Sequence, residues 1–136
     1  MASVQIEKQL GEAKRAVQSG LHAFNKQAVG RIDHKPLAIT LREKRDIAGG
    51  LIGDTHLGWL FVQFFWIDEN YRGKGFGTRL IGMAEDEARR RGVKNVYLDT
   101  FSFQAPGFYE KLGYREFGRL NEYPPGHHRS WLTKAL

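Results

Sequence analysis

The sequence contains no cysteine. That absence excludes disulfides, thiolate-bound zinc and a cysteine nucleophile. It fits a reducing compartment, so the chain is expected in the cytoplasm. No apolar run approaches the roughly 18 residues of a membrane span, and no signal-like apolar segment opens the chain, so no membrane association is expected. The histidines, His22, His34, His56, His127 and His128, do not form a compact metal-ligand spacing, and no metal site is expected. Low-complexity tracts, internal repeats and linkers are absent as well. A length of 136 residues then suits a single domain over 1–136.

What is present is a chain able to build a core, with 41% apolar and 12% aromatic residues. Its formal charge is +6, which favours an anionic partner: nucleic acid, a membrane surface or a phosphorylated cofactor. The basic residues are dispersed, without the aromatic-interleaved stripe of a nucleic-acid surface, so no nucleic-acid partner is expected.

Val4 to Glu7 reads as a short first strand. From Glu12 to Ala28, apolar residues recur at helical spacing through Ala13, Ala16, Val17, Leu21, Phe24 and Ala28, and Gly30 is the stop. Strand-like runs follow at Leu37 to Leu41 and Ile47 to Ile52, with turns at Asp46 and at Gly53-Asp54. Trp59 to Ile67, WLFVQFFWI, is almost wholly apolar, as a strand buried on two faces would be. After a glycine segment, Leu80, Ile81, Ala84 and Ala88 mark one helix face. Arg89, Arg90 and Arg91 complement its C-terminal dipole, and Gly92 caps it. Val93 to Phe101 is a strand, and Pro106 opens a short helix that Gly113 ends. Strands at Tyr114 to Glu122 and Arg129 to Leu136 close the chain around the loop Tyr123 to His128. The expected fold is a mixed α/β sheet, mostly antiparallel, with one parallel crossover in the middle and helices packed against it.

The segment Trp66 to Gly77, WIDENYRGKGFG, places Gly73, Gly75 and Gly77 between the apolar strand and the helix. The first N–H groups of a helix have no internal acceptor, and a glycine-rich entry lets an anion approach them closely. Arg72 and Lys74 add positive charge, which completes the description of a phosphate site. A Walker motif needs Ser or Thr after its lysine, and Lys74 precedes Gly75. A dinucleotide fingerprint needs G-x-G-x-x-G on a first strand, and the spacing here is G-x-G-x-G.

Arg72-x-x-Gly75-x-Gly77 resembles the R/Q-x-x-G-x-G/A signature of the GNAT acetyltransferases, set between strand and helix as in that family. Ala105-Pro-Gly-Phe-Tyr-Glu-Lys-Leu-Gly-Tyr114 resembles the family's A-x-x-x-Y-E-K-L-G-F/Y segment. The two blocks occur in the family's order, with a helix and a strand between them. The resemblance extends over essentially the whole chain.

It implies a GNAT-like sheet whose strands Trp59 to Ile67 and Lys94 to Phe101 splay apart around acetyl-CoA. The pyrophosphate would sit on Arg72, Gly73, Lys74, Gly75, Phe76, Gly77 and Thr78. The pantetheine arm would lie along Trp66, Ile67 and Asp68. Ser102 stands where many members carry an asparagine that orients this arm, with Gln104 close by as a substitute. Tyr109 takes the family's tyrosine position, as a cofactor contact and as general acid for the departing thiolate. A primary amine, with a pKa of about 10, must lose a proton before attack. Asp68 is the preferred base or proton relay among Asp68, Glu69, Glu43, Asp99, Glu122, His127 and His128. The implied reaction is acetyl transfer to the primary amine of a small molecule by direct attack in a ternary complex. A protein lysine or N-terminus, or acyl-CoA binding without turnover, are the alternatives. Acceptor choice would fall to the variable segments Phe24 to Lys35 and Asn121 to Arg129, with some aromatic residues of Trp59 to Trp66 as walls. Similar proteins are often homodimers.

Overall fold

A computed structural model describes all 136 residues, Met1–Leu136. They divide into two compact units, Met1–Ile32 and Asp33–Leu136. The first holds one helix, α1 (Gly11–Val29), which has no buried residue. Its apolar stripe includes Val17, Leu21 and Phe24, all exposed. The helix stops at Gly30, whose φ of 82° suits a residue without a Cβ and whose N–H donates to the Lys26 carbonyl. Val4 to Glu7 is not the expected strand. It belongs to no ladder of the sheet, and an extended segment without a pairing edge has nothing to hold it as a strand.

The second unit is a six-stranded sheet in the order β1-β2-β3-β4-β6-β5. The strands are β1 (Lys35–Glu43), β2 (Asp46–His56), β3 (Trp59–Ile67), β4 (Asn95–Phe101), β5 (Arg115–Asn121) and β6 (His128–Ala135). Every neighbouring pair is antiparallel except β3–β4, which α2 (Phe76–Arg90) joins as a crossover. A short α3 (Pro106–Lys111) follows β4. This is the expected mixed sheet with one parallel pair. Most boundaries differ from the sequence reading by a residue or two, the usual fraying of element ends.

Two local expectations change. No turn forms at Gly53-Asp54, because β2 runs on to His56 and the reversal falls at Leu57-Gly58, both at positive φ. Gly53 serves a bulge instead. Ile52 faces Phe64 and Gly53 faces Val62, so Gln63 is an extra residue on β3. A Cβ at Gly53 would collide with the Phe61 carbonyl, which is why this strand position is glycine. The second change is that β3 is covered on one face only. Leu60 and Val62 are buried, while Phe64 and Trp66 are exposed.

The covered face explains the stripe on α2. Leu37, Leu51, Leu60, Val62, Val96, Leu98 and Leu132 of the sheet meet Ile81, Ala84 and Ala88 of α2 and Tyr109 of α3 in one core. Each fully buried Leu or Ile stabilises the fold by about 1.5–3 kcal/mol. The opposite face carries Trp59, Phe61 and Tyr97, with Phe61 and Tyr97 stacked at 4.7 Å. No helix of the chain is long and apolar enough to cross a membrane.

Candidate functional site

The parallel pairing of β3 and β4 covers only Trp59–Val62 against Asn95–Leu98. Beyond it the strands part, at the place where Gln63 bulges out of β3. A bulge bends its strand and raises the local twist, so it turns β3 away from β4. β4 keeps its other neighbour, with Asp99, Thr100 and Phe101 paired to Trp131, Ser130 and Arg129 of β6. The β3 edge from Gln63 to Ile67 thus faces an opening of about 1150 Å³ instead of a strand. Because side chains alternate along a strand, the cleft is lined from both faces of the sheet. Val62, Leu98, Thr100 and Tyr109 come from the helix side, and Phe61, Asp99, Phe101 and Arg129 from the other.

The glycine loop closes one end. Gly73 and Gly75 adopt φ of 73° and 84°, a conformation that glycine takes without penalty. Gly75 is the N-cap of α2 and has no side chain to satisfy the helix. The first intrahelical bond runs from Arg79 N–H to the Gly75 carbonyl. The N–H groups of Phe76, Gly77 and Thr78 therefore have no backbone acceptor. Gly77 lets α2 pack closely on α3: a Cβ there would lie 3.1 Å from the Phe108 ring. Arg72 braces the loop through Nε to the Ile67 carbonyl at 2.8 Å. Such free donors at a helix start, beside an arginine, are the donor set a pyrophosphate requires. The unpaired β3 edge likewise offers the backbone groups that an amide-bearing arm would need, so the residues present fit acetyl-CoA.

Two tyrosines lie side by side behind this loop, ring centroids 6.0 Å apart, with different chemical availability. Tyr114 donates to Glu85 Oε2 at 2.8 Å, and Lys134 Nζ closes the same carboxylate at 3.0 Å. Burial, then the Glu85 hydrogen bond and charge, push the Tyr114 phenol far up. Tyr109 lines the cleft, and its hydroxyl has no hydrogen-bond partner on the protein. Burial, and then the negative charge of Asp99, push its phenol up to about 12. At neutral pH the Tyr109 phenol, in the cleft lining, is protonated.

The other expected residues divide. Trp66, Ile67, Arg72, Gly73, Gly75, Phe76, Gly77, Thr78 and Gln104 all line the cleft, as Tyr109 does. Gln104 turns its carbonyl oxygen to the Phe101 N–H and the Thr100 hydroxyl. Lys74, in the loop between Gly73 and Gly75, is not among the lining residues, and its ammonium lies 5.9 Å from the Tyr71 ring. Ser102 engages His127 Nδ1 and accepts from the His128 N–H, which ties the end of β4 to the last loop. Asp68 caps the 3-10 turn Glu69–Tyr71 by accepting from the Asn70 N–H, and it is not among the cleft's lining residues.

The acidic side chain that does line the cleft is Asp99. It is paired with Arg129, 2.8 Å from Nε and 2.7 Å from Nη2. No sequence signal joins two residues thirty positions apart. Only the β4–β6 register brings them together.

Comparison with known proteins agrees with this geometry. Residues 9–114 match the acetyltransferase (GNAT) family. An acetyltransferase of Agrobacterium fabrum is 39% identical over 126 residues, 92% of this chain and 92% of that protein. The blasticidin-S acetyltransferase of Streptomyces morookaense is 43% identical over 95 residues, 69% of this chain and 70% of that one. A solved acetyltransferase structure from Bacillus cereus superposes with a TM-score of 0.87 at 30% identity and covers 98% of both chains.

Proposed function

The chain belongs to the GNAT acetyltransferase family, and from that premise we propose that it moves the acetyl group of acetyl-CoA to the primary amine of a small molecule, by direct attack in a ternary complex. The observation that carries this reading is the single cleft through the split of β3 and β4. It has phosphate-type donors at one end, the free Tyr109 hydroxyl within it and a carboxylate on its far face.

Acetyl-CoA supplies a thioester, an acyl group activated towards amines. The chain supplies the surroundings. N–H groups of Phe76, Gly77 and Thr78, with Arg72, hold the pyrophosphate. The unpaired edge of β3 from Gln63 to Ile67 lines up the acyl arm as an added strand would lie. Backbone N–H groups of the same edge would stabilise the acyl oxygen, where negative charge builds during attack. Tyr109 donates its proton to the leaving sulfur. The proton lost by the amine passes to water at the open face.

A small-molecule acceptor is supported by the cleft's aromatic walls and by the name of the blasticidin-S relative. Calorimetry with acetyl-CoA, followed by thiol release against amines including blasticidin S, spermidine and a lysine peptide, tests the reading. Micromolar binding with amine-dependent release is expected. Binding with no release from any amine would overturn transfer. Release with the peptide alone would replace the small molecule by a protein acceptor.

A further inference from the structure

On the transfer reading, the cleft must seat a cationic amine, and we propose that the Oδ2 atom of Asp99 is its anchor, with Arg129 as a positioning residue. The acceptors it selects are alkyl amines that arrive as ammonium ions, in preference to amines that are neutral at the working pH.

Position is the first argument. Asp99 follows Leu98, the last β4 residue paired with β3, so it is the first β4 residue at the split. Leu98 and Thr100 are buried under the helices. Alternation puts Asp99 on the opposite, open face, beside Phe61 and Phe101 in the cleft wall.

Its hydrogen bonding is the second. Both Arg129 contacts fall on Oδ1, and no protein group donates to Oδ2. Arginine–carboxylate pairs frequently engage both oxygens through the guanidinium fork. Here one oxygen is fixed and the other has no donor on the protein, on a residue that lines the cleft. Asp99 is the only acidic side chain in the lining.

Arg129 is already committed. Its guanidinium lies 5.1 Å from the Phe101 ring, 5.3 Å from Tyr123 and 4.9 Å from Trp131, and Nη1 donates to the Tyr123 hydroxyl. A cation held by three rings and two hydrogen-bonding partners orients the carboxylate instead of leaving to bind substrate. Asp99 is also close enough for its charge to act on the Tyr109 phenol, which puts the anchored amine and the proton donor in one electrostatic neighbourhood.

The test is equilibrium binding, so that it does not depend on turnover. Phenethylamine, and its uncharged alcohol analogue 2-phenylethanol, are titrated into the CoA-saturated full chain, wild type and the variants Asp99→Asn and Arg129→Lys, with acetyl-CoA affinity measured alongside. The wild type is expected to prefer the ammonium to the alcohol by at least about tenfold. Asp99→Asn should abolish that preference, with acetyl-CoA affinity held within about twofold. Arg129→Lys keeps the charge but loses the fork, and should reduce the preference severalfold without removing it. Equal binding of amine and alcohol by the wild type, or an intact preference in folded Asp99→Asn, overturns the assignment. Asp99-dependent amine binding without thiol release would uphold it while overturning transfer.

Discussion

Tyr109 and Tyr114 are neighbours of the same chemical type, separated by hydrogen bonding and by access to the cleft, which only Tyr109 lines. Glu85 seals the Tyr114 hydroxyl, and nothing on the protein binds that of Tyr109. Replacing Tyr109 by Phe is therefore expected to leave acetyl-CoA affinity nearly unchanged and to lower kcat by about 100-fold. Equal turnover in the variant would make Tyr109 a packing residue. The pH profile carries its own check. With the phenol raised to about 12 by burial and then by Asp99, the protonated form persists through the neutral and mildly alkaline range. Loss of the donor should appear only as pH rises towards that value, so no falling limb from Tyr109 is expected below about pH 10. At Gly75, both Ala and Glu meet the strain of a φ of 84°, which costs about 1–3 kcal/mol. Only Glu also places a carboxylate among the phosphate donors. Calorimetry should show acetyl-CoA binding weakened modestly in Gly75→Ala and by a further tenfold or so in Gly75→Glu.

Among the elements, the bulge decides where the site lies. Gly53 allows the register shift that frees β3 from β4, and a Cβ there meets the Phe61 carbonyl with no flexible side chain to yield. Gly53→Ala is expected to cost about 1–3 kcal/mol, read as a lower urea midpoint, and to weaken acetyl-CoA binding because the nearby edge shifts. Unchanged stability and affinity would mean that the bulge tolerates the methyl group. This element also shows what could be read in advance. The limits of β3 were legible because a run of nine residues, all apolar or aromatic except Gln63, stops sharply at Asp68. The α2 stripe was legible because one face must meet the sheet. Gly53-Asp54 resembled a turn because glycine serves turns and bulges alike, and only the partner strand distinguishes them. The glycine loop was legible because its chemistry is local. Asp99 was one of several acidic or histidine candidates, and its selection required β6, which brings Arg129 beside it.

On the scale of the whole molecule, the formal charge of +6 favours approach of a polyanionic cosubstrate. Acetyl-CoA affinity should fall by about three- to tenfold as salt rises from roughly 0.05 M to roughly 0.5 M, measured by calorimetry. A salt-independent affinity would confine recognition to uncharged contacts. The sheet has a further property at this scale. β1, β2 and β3 form an antiparallel meander, and β4, β6 and β5 form a second antiparallel half in which β6 lies between β4 and β5. The backbone stitches them together only along Trp59–Val62 and Asn95–Leu98. The cleft is the unsewn length of that seam. Each half keeps its own ladder, so the opening and the shortest pairing in the sheet are one feature.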